Sequence, residues 1–71
     1  MKLLKELREE RGVTQIEMAQ NLGMSYQNYR NYDSGKYKFM TADLENKVSS
    51  LLGISFMYVN KEEYDKSKEG K

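Results

Sequence analysis

Val13-Thr14-Gln15-Ile16-Glu17-Met18-Ala19-Gln20-Asn21-Leu22-Gly23-Met24-Ser25 is the stretch that decides how this chain folds. A threonine followed three residues later by a glutamate is a capping box, so Thr14 and Glu17 predict a helix that starts at Gln15. Met18, Ala19 and Leu22 fall on one face of that helix and mark its inward stripe. Ala19 is small, which lets a following helix cross closely. Gly23 is suited to the left-handed residue that ends a helix. Ser25 then caps a second helix from about Tyr26 to Tyr32, with Tyr29 and Tyr32 inward and a hydrogen-bonding face outward.

Two capped helices across a glycine turn make a helix-turn-helix unit, which puts DNA first among candidate partners. Outward from it, Leu3, Leu4 and Leu7 form an apolar stripe on a helix of roughly Lys2 to Arg11, with Gly12 as its stop. On the other side, Asp33-Ser34-Gly35-Lys36 is a turn, with Gly35 suited to a positive φ. A helix from about Thr41 to Leu52 follows, its stripe Leu44, Val48, Leu51 and Leu52 and its end Gly53. Ile54 to Asn60 is expected as a short fifth helix, capped by Ser55, that returns Phe56 and Val59 to the core. From Lys61 to Lys71 charges dominate and Tyr64 is the one apolar residue, which predicts a flexible tail. The expected architecture is all-α: one compact domain of five short helices over residues 1–60, then the tail over 61–71.

Composition narrows the chemistry. The 71 residues include no cysteine and no histidine, so a disulfide framework is excluded and neither a metal site nor a cofactor is expected. Without His, Cys, a Gly-rich phosphate loop or paired carboxylates in a cleft, an enzyme is not expected. Glu6, Glu9 and Glu10 are explained as a solvated helix face. No apolar run approaches the ~20 residues of a membrane span, and no signal-peptide pattern is evident, so the expected location is the cytoplasm. Twelve basic against eleven acidic residues give a formal net charge of +1. A domain that holds DNA mainly by neutralising phosphates would be more basic.

Leu7-Arg8, Gly12-Val13-Thr14-Gln15, Met18-Ala19, Leu22-Gly23, Ser25 and Asp33-Ser34-Gly35-Lys36 together resemble the Cro/C1-type (XRE) helix-turn-helix domain of phage repressors and Cro proteins. The resemblance covers roughly residues 2 to 60 and implies a lambda-repressor-like fold. It also implies roles for particular positions. Tyr26, Gln27 and Asn31, with Arg30 beside them, would face base edges in the major groove of an operator. Gln15, Ser34, Lys36 and Lys38 would grip the phosphate backbone, and Arg8 with Asp33 would form a structural ion pair. Chemistry agrees in part, since Gln and Asn pair bidentately with adenine and Arg with guanine. A solvated helix face would account equally for Gln27 or Asn31 taken alone.

The departures from the family pattern are apolar. Ile16, Tyr26, Phe39, Met57 and Tyr58 stand where the family usually has polar, basic, acidic or proline residues, and Met40 replaces a small polar one. The first five, with Tyr37, are candidates for exposed apolar surface, either a dimer surface around Phe39, Met57 and Tyr58 or a protein-binding face at Ile16, Tyr26 and Tyr37. Two functions therefore compete. One is a small Cro-like regulator of phage or mobile-element type that binds double-stranded operator DNA as a homodimer. The other is an antirepressor that uses the same fold to bind a partner repressor protein. An antitoxin whose charged tail orders on a toxin ranks third.

Overall fold

The computed structural model describes residues 1–69, which fold as five α-helices: α1 (Leu4–Glu10), α2 (Gln15–Leu22), α3 (Tyr26–Asp33), α4 (Ala42–Leu52) and α5 (Lys61–Glu69). Each of the first four begins where a side chain can satisfy free backbone groups of the first turn. Glu6 Oε1 accepts from the Leu3 amide at 3.0 Å. Thr14 Oγ1 accepts from the Glu17 amide and Glu17 Oε1 from the Thr14 amide, both at 3.1 Å. Ser25 Oγ accepts from the Asn28 amide at 3.1 Å, and Thr41 Oγ1 from the Leu44 amide at 3.3 Å. At the α2–α3 turn Gly23 sits at φ 68, and the Met24 amide returns to the Ala19 carbonyl at 3.0 Å. The predicted cap, turn and cap are all in place.

α2 packs against α3 and α4, and α1 against α3. Between them lies one core of Leu4, Met18, Ala19, Leu22, Tyr29, Met40, Val48, Leu52 and Phe56. Met40 is thus a core residue. Leu51, expected on the inward stripe of α4, is instead exposed, because Val48 and Leu52 already fill that face.

The region after α4 departs from expectation. Residues 54–60 are not helical: 54 is a bend and 55–60 have no regular secondary structure. Their amides are claimed by side chains of α4: Ser49 Oγ accepts from Phe56 N at 3.1 Å and Glu45 Oε2 from Tyr58 N at 2.8 Å. This irregular run, anchored in that way, carries Phe56 into the core, and no helix begins at Ser55. The fifth helix comes later, over residues expected to be a flexible tail. Asn60 caps it, its Oδ1 accepting from the Glu63 amide at 2.8 Å and its Nδ2 donating to Glu63 Oε1 at 2.9 Å. Glu62 and Glu63 in the first turn and Lys66 and Lys68 in the last complement the helix dipole. Lys61–Asp65 and Glu62–Lys66 pair along its side. Tyr64 is buried. The Glu6 carboxyl is held below its ordinary value first by the Leu3 backbone, with Tyr64 and Lys68 adding to the effect. Residues 70 and 71 of the expected tail lie outside the described residues. No helix among the described residues is long and apolar enough to cross a membrane.

Candidate nucleic-acid interface

The outward face of α3 is held from beneath by one buried carboxylate. Asp33, 1% exposed, accepts four hydrogen bonds. Oδ1 takes Arg8 Nε at 2.9 Å and the Tyr29 hydroxyl at 2.8 Å; Oδ2 takes Arg8 Nη2 at 3.2 Å and Gln15 Nε2 at 2.8 Å. Arg8 Nη1 donates to the Val13 carbonyl at 2.7 Å. Burial opposes the charge on Arg8, but the bond and charge of Asp33 outweigh it and hold the guanidinium above its ordinary pKa. Burial, and then the bond to Asp33, push the Tyr29 phenol far up. The network joins α1, α2 and α3 and serves structure, as expected for Arg8 and Asp33.

It also fixes Gln15. With Nε2 on Asp33, its Oε1 accepts from the Tyr26 hydroxyl at 3.0 Å, so the amide spans the gap between the N-termini of α2 and α3. The Arg30 guanidinium stands over the Tyr26 ring, 5.6 Å from its centroid. Gln15, Gln27, Arg30, Asn31 and Ser34 line a single polar depression, together with Lys5 of α1 and the edge of Asp33. Five of the residues predicted for bases and phosphates therefore converge on one place. Lys5 was missed because nothing in its local pattern separates it from a solvated lysine.

Lys36 and Lys38 lie elsewhere. With Ser34 they line a neighbouring groove whose far wall is the start of α5, including Asn60, Glu62 and Glu63. There Asn60 Nδ2 donates to the Lys38 carbonyl at 2.9 Å and the Lys61 amide to the Gly35 carbonyl at 2.7 Å. The loop expected to grip phosphate is thus braced by a helix whose first turn carries two carboxylates, Glu62 and Glu63.

The expected apolar surface divides. Ile16 is 57% exposed, Tyr26 44%, Phe39 78% and Met57 79%. Tyr37 and Tyr58 are corrections, since both are half-buried around Tyr32. The Tyr32 ring meets Tyr37 edge-on at 4.7 Å and Tyr58 at 5.8 Å. Their hydroxyls are used internally, Tyr58 donating to the Tyr37 carbonyl at 2.7 Å and Tyr37 to Asn28 Oδ1 at 2.6 Å. Burial first, then Tyr32, Glu63 and Tyr37 nearby, push the Tyr58 phenol up to about 12. A phenol can pack by its ring while its oxygen finds a partner, and that draws these two inward.

A family model described as helix-turn-helix matches residues 4–59, from α1 into the irregular segment before α5. Comparison with curated proteins and with solved structures gives no match. With capped helices, glycine turn and buried ion pair all in register with that match, the chain belongs to the Cro/C1-type helix-turn-helix family of DNA-binding transcription regulators.

Proposed function

We propose that this chain is a small Cro-like regulator, of the kind encoded by phages and mobile elements, that recognises an operator by placing α3 in the major groove. The observation that carries the proposal is the shared depression of Gln15, Gln27, Arg30, Asn31 and Ser34, which brings hydrogen-bonding side chains from α2, α3 and the following turn to one side of the molecule. On this reading Tyr26, Gln27, Arg30 and Asn31 meet base edges. Gln15, at the N-terminus of α2, meets a phosphate, as do Ser34, Lys36 and Lys38. A second copy would pair through the surface of Phe39 and Met57 and place its own α3 one turn along the duplex, ~34 Å away.

The test is selection from a randomised duplex library, followed by footprinting. Protection of a site of operator size is expected, with affinity falling steeply as salt rises. Gln27→Ala should cost about 1–3 kcal/mol of discrimination at one base position and leave the others intact. No protected site at protein concentrations well above micromolar would sink the proposal.

One observation favours a second reading. Ile16 and Tyr26 are both exposed large side chains at the N-terminal ends of the two recognition-unit helices, on a chain of net charge +1. Such a surface suits protein better than phosphate. An antirepressor would cover the recognition helix of a partner repressor with it. Ile16→Lys or Tyr26→Asp should then abolish capture of that repressor in a pull-down while helicity by circular dichroism is unchanged. Capture retained by both variants counts decisively against this surface.

A further inference from the structure

We propose that Tyr37 determines which base Asn31 selects, by fixing the Asn31 amide with its carbonyl oxygen toward the groove. The inference rests on the DNA-reading function proposed above. It follows from counting protons along a chain of four side chains. Asn28 Nδ2 lies 3.9 Å from Met24 Sδ, and a thioether can only accept, so the nitrogen of that amide faces the sulfur. Asn28 Oδ1 therefore faces the Tyr37 hydroxyl, at 2.6 Å, and takes its one proton. A hydroxyl that has donated its proton can only accept from its next neighbour. That neighbour is Asn31 Nδ2, at 3.1 Å.

The orientation of Asn31 is thereby settled from the core outward. One of its two N–H groups is spent on Tyr37. Its Oδ1 accepts from no protein donor, and no unpartnered side-chain oxygen or nitrogen is buried among the described residues, so that oxygen reaches the surface. Asn31 lines the same depression as Gln27 and Arg30. A carbonyl oxygen presented to the major groove accepts from the exocyclic amine of adenine or cytosine, and it repels the keto oxygen of guanine or thymine. Tyr37 and Asn28 are positioning residues in this scheme. Neither needs to touch DNA.

Library selection with four variants tests the inference. Asn31→Ala identifies the base position, which in the wild-type protein should favour adenine or cytosine by about tenfold over guanine and thymine. Tyr37→Phe keeps the ring on Tyr32 but frees the amide to turn, and should erase that preference while other positions hold. Asn28→Ala returns the Tyr37 proton to Asn31 Oδ1, turns the NH2 group outward and should reverse the preference to guanine or thymine. Asn28→Asp keeps an acceptor for the hydroxyl and should retain the wild-type preference. If the wild-type protein selects no sequence, the proposed function fails and takes this inference with it. If it selects a site but Tyr37→Phe and Asn28→Ala keep the same base at the Asn31 position, the inference alone fails. It fails equally if Asn31→Ala alters no position.

Discussion

Replacing Asp33 with alanine is expected to destabilise the fold by about 3–5 kcal/mol, the cost of stranding one partner of a buried ion pair. The loss has three parts with a single origin. The Arg8 guanidinium keeps only the Val13 carbonyl as a fixed acceptor in a buried position. The Tyr29 hydroxyl, on a fully buried side chain, loses its acceptor, and Gln15 loses the bond that holds its nitrogen. A domain of this size has a total stability on the order of 5 kcal/mol, so the variant keeps at most about 2 kcal/mol and should begin to unfold at the lowest urea concentrations, with an unfolded fraction already present in urea-free buffer. Urea titration with circular dichroism reads the effect directly. A companion variant separates charge from packing: Arg8→Met with Asp33→Leu and Tyr29→Phe removes both charges and the buried hydroxyl that would lose its acceptor, and should recover most of the stability, though not the placement of Gln15. A loss under about 1 kcal/mol in Asp33→Ala would place the pair among weak surface interactions and remove the argument.

Gly35→Ala should be the second most damaging change, on the order of 3 kcal/mol, for reasons the turn alone does not reveal. Gly35 sits at φ 79, where a side chain costs about 1–2 kcal/mol. The added Cβ would also stand 2.7 Å from the Lys61 amide nitrogen and 2.9 Å from Leu3 Cδ2. The first neighbour is backbone and cannot turn aside. Relief requires α5 to lift off, which breaks the Lys61–Gly35 hydrogen bond and exposes Tyr64 and part of Leu3. Amide hydrogen exchange should show α5 losing its protection well before α2 and α3. Equal loss of protection across all five helices would mean that α5 is not separately docked.

Much of this fold was legible because its signals are local. Thr14 with Glu17, Gly23 and Ser25 each act through backbone groups within four residues, and all did so as expected. The region after Gly53 failed for the opposite reason. Whether Phe56 and Tyr58 lie in a helix depends on Ser49 and Glu45, which sit on another element and outbid a local helix for those amides. The helix at Lys61 does carry a local signal. Asn60 three residues before Glu63, acids first and lysines last, is a helix start, but a run so dense in charge fits a solvated tail equally well. At the site, the family resemblance brought Gln15, Gln27, Arg30, Asn31 and Ser34 to one surface. It gave no warning that Tyr37 turns inward to meet Asn28 and Asn31, since a tyrosine in a loop looks the same whether its hydroxyl is wet or claimed.

The four-bond cradle of Asp33 has a consequence for the duplex as well as for the protein. α1, α2 and α3 are tied to one carboxylate, and Gln15 and Tyr26 hang from the same knot. On the proposed DNA-reading function, a head tied together in this way would leave misfit between its shape and a given stretch of B-form helix to be absorbed by the nucleic acid. In an operator bound by such a head, base steps that never touch the protein would still matter through their stiffness and groove width.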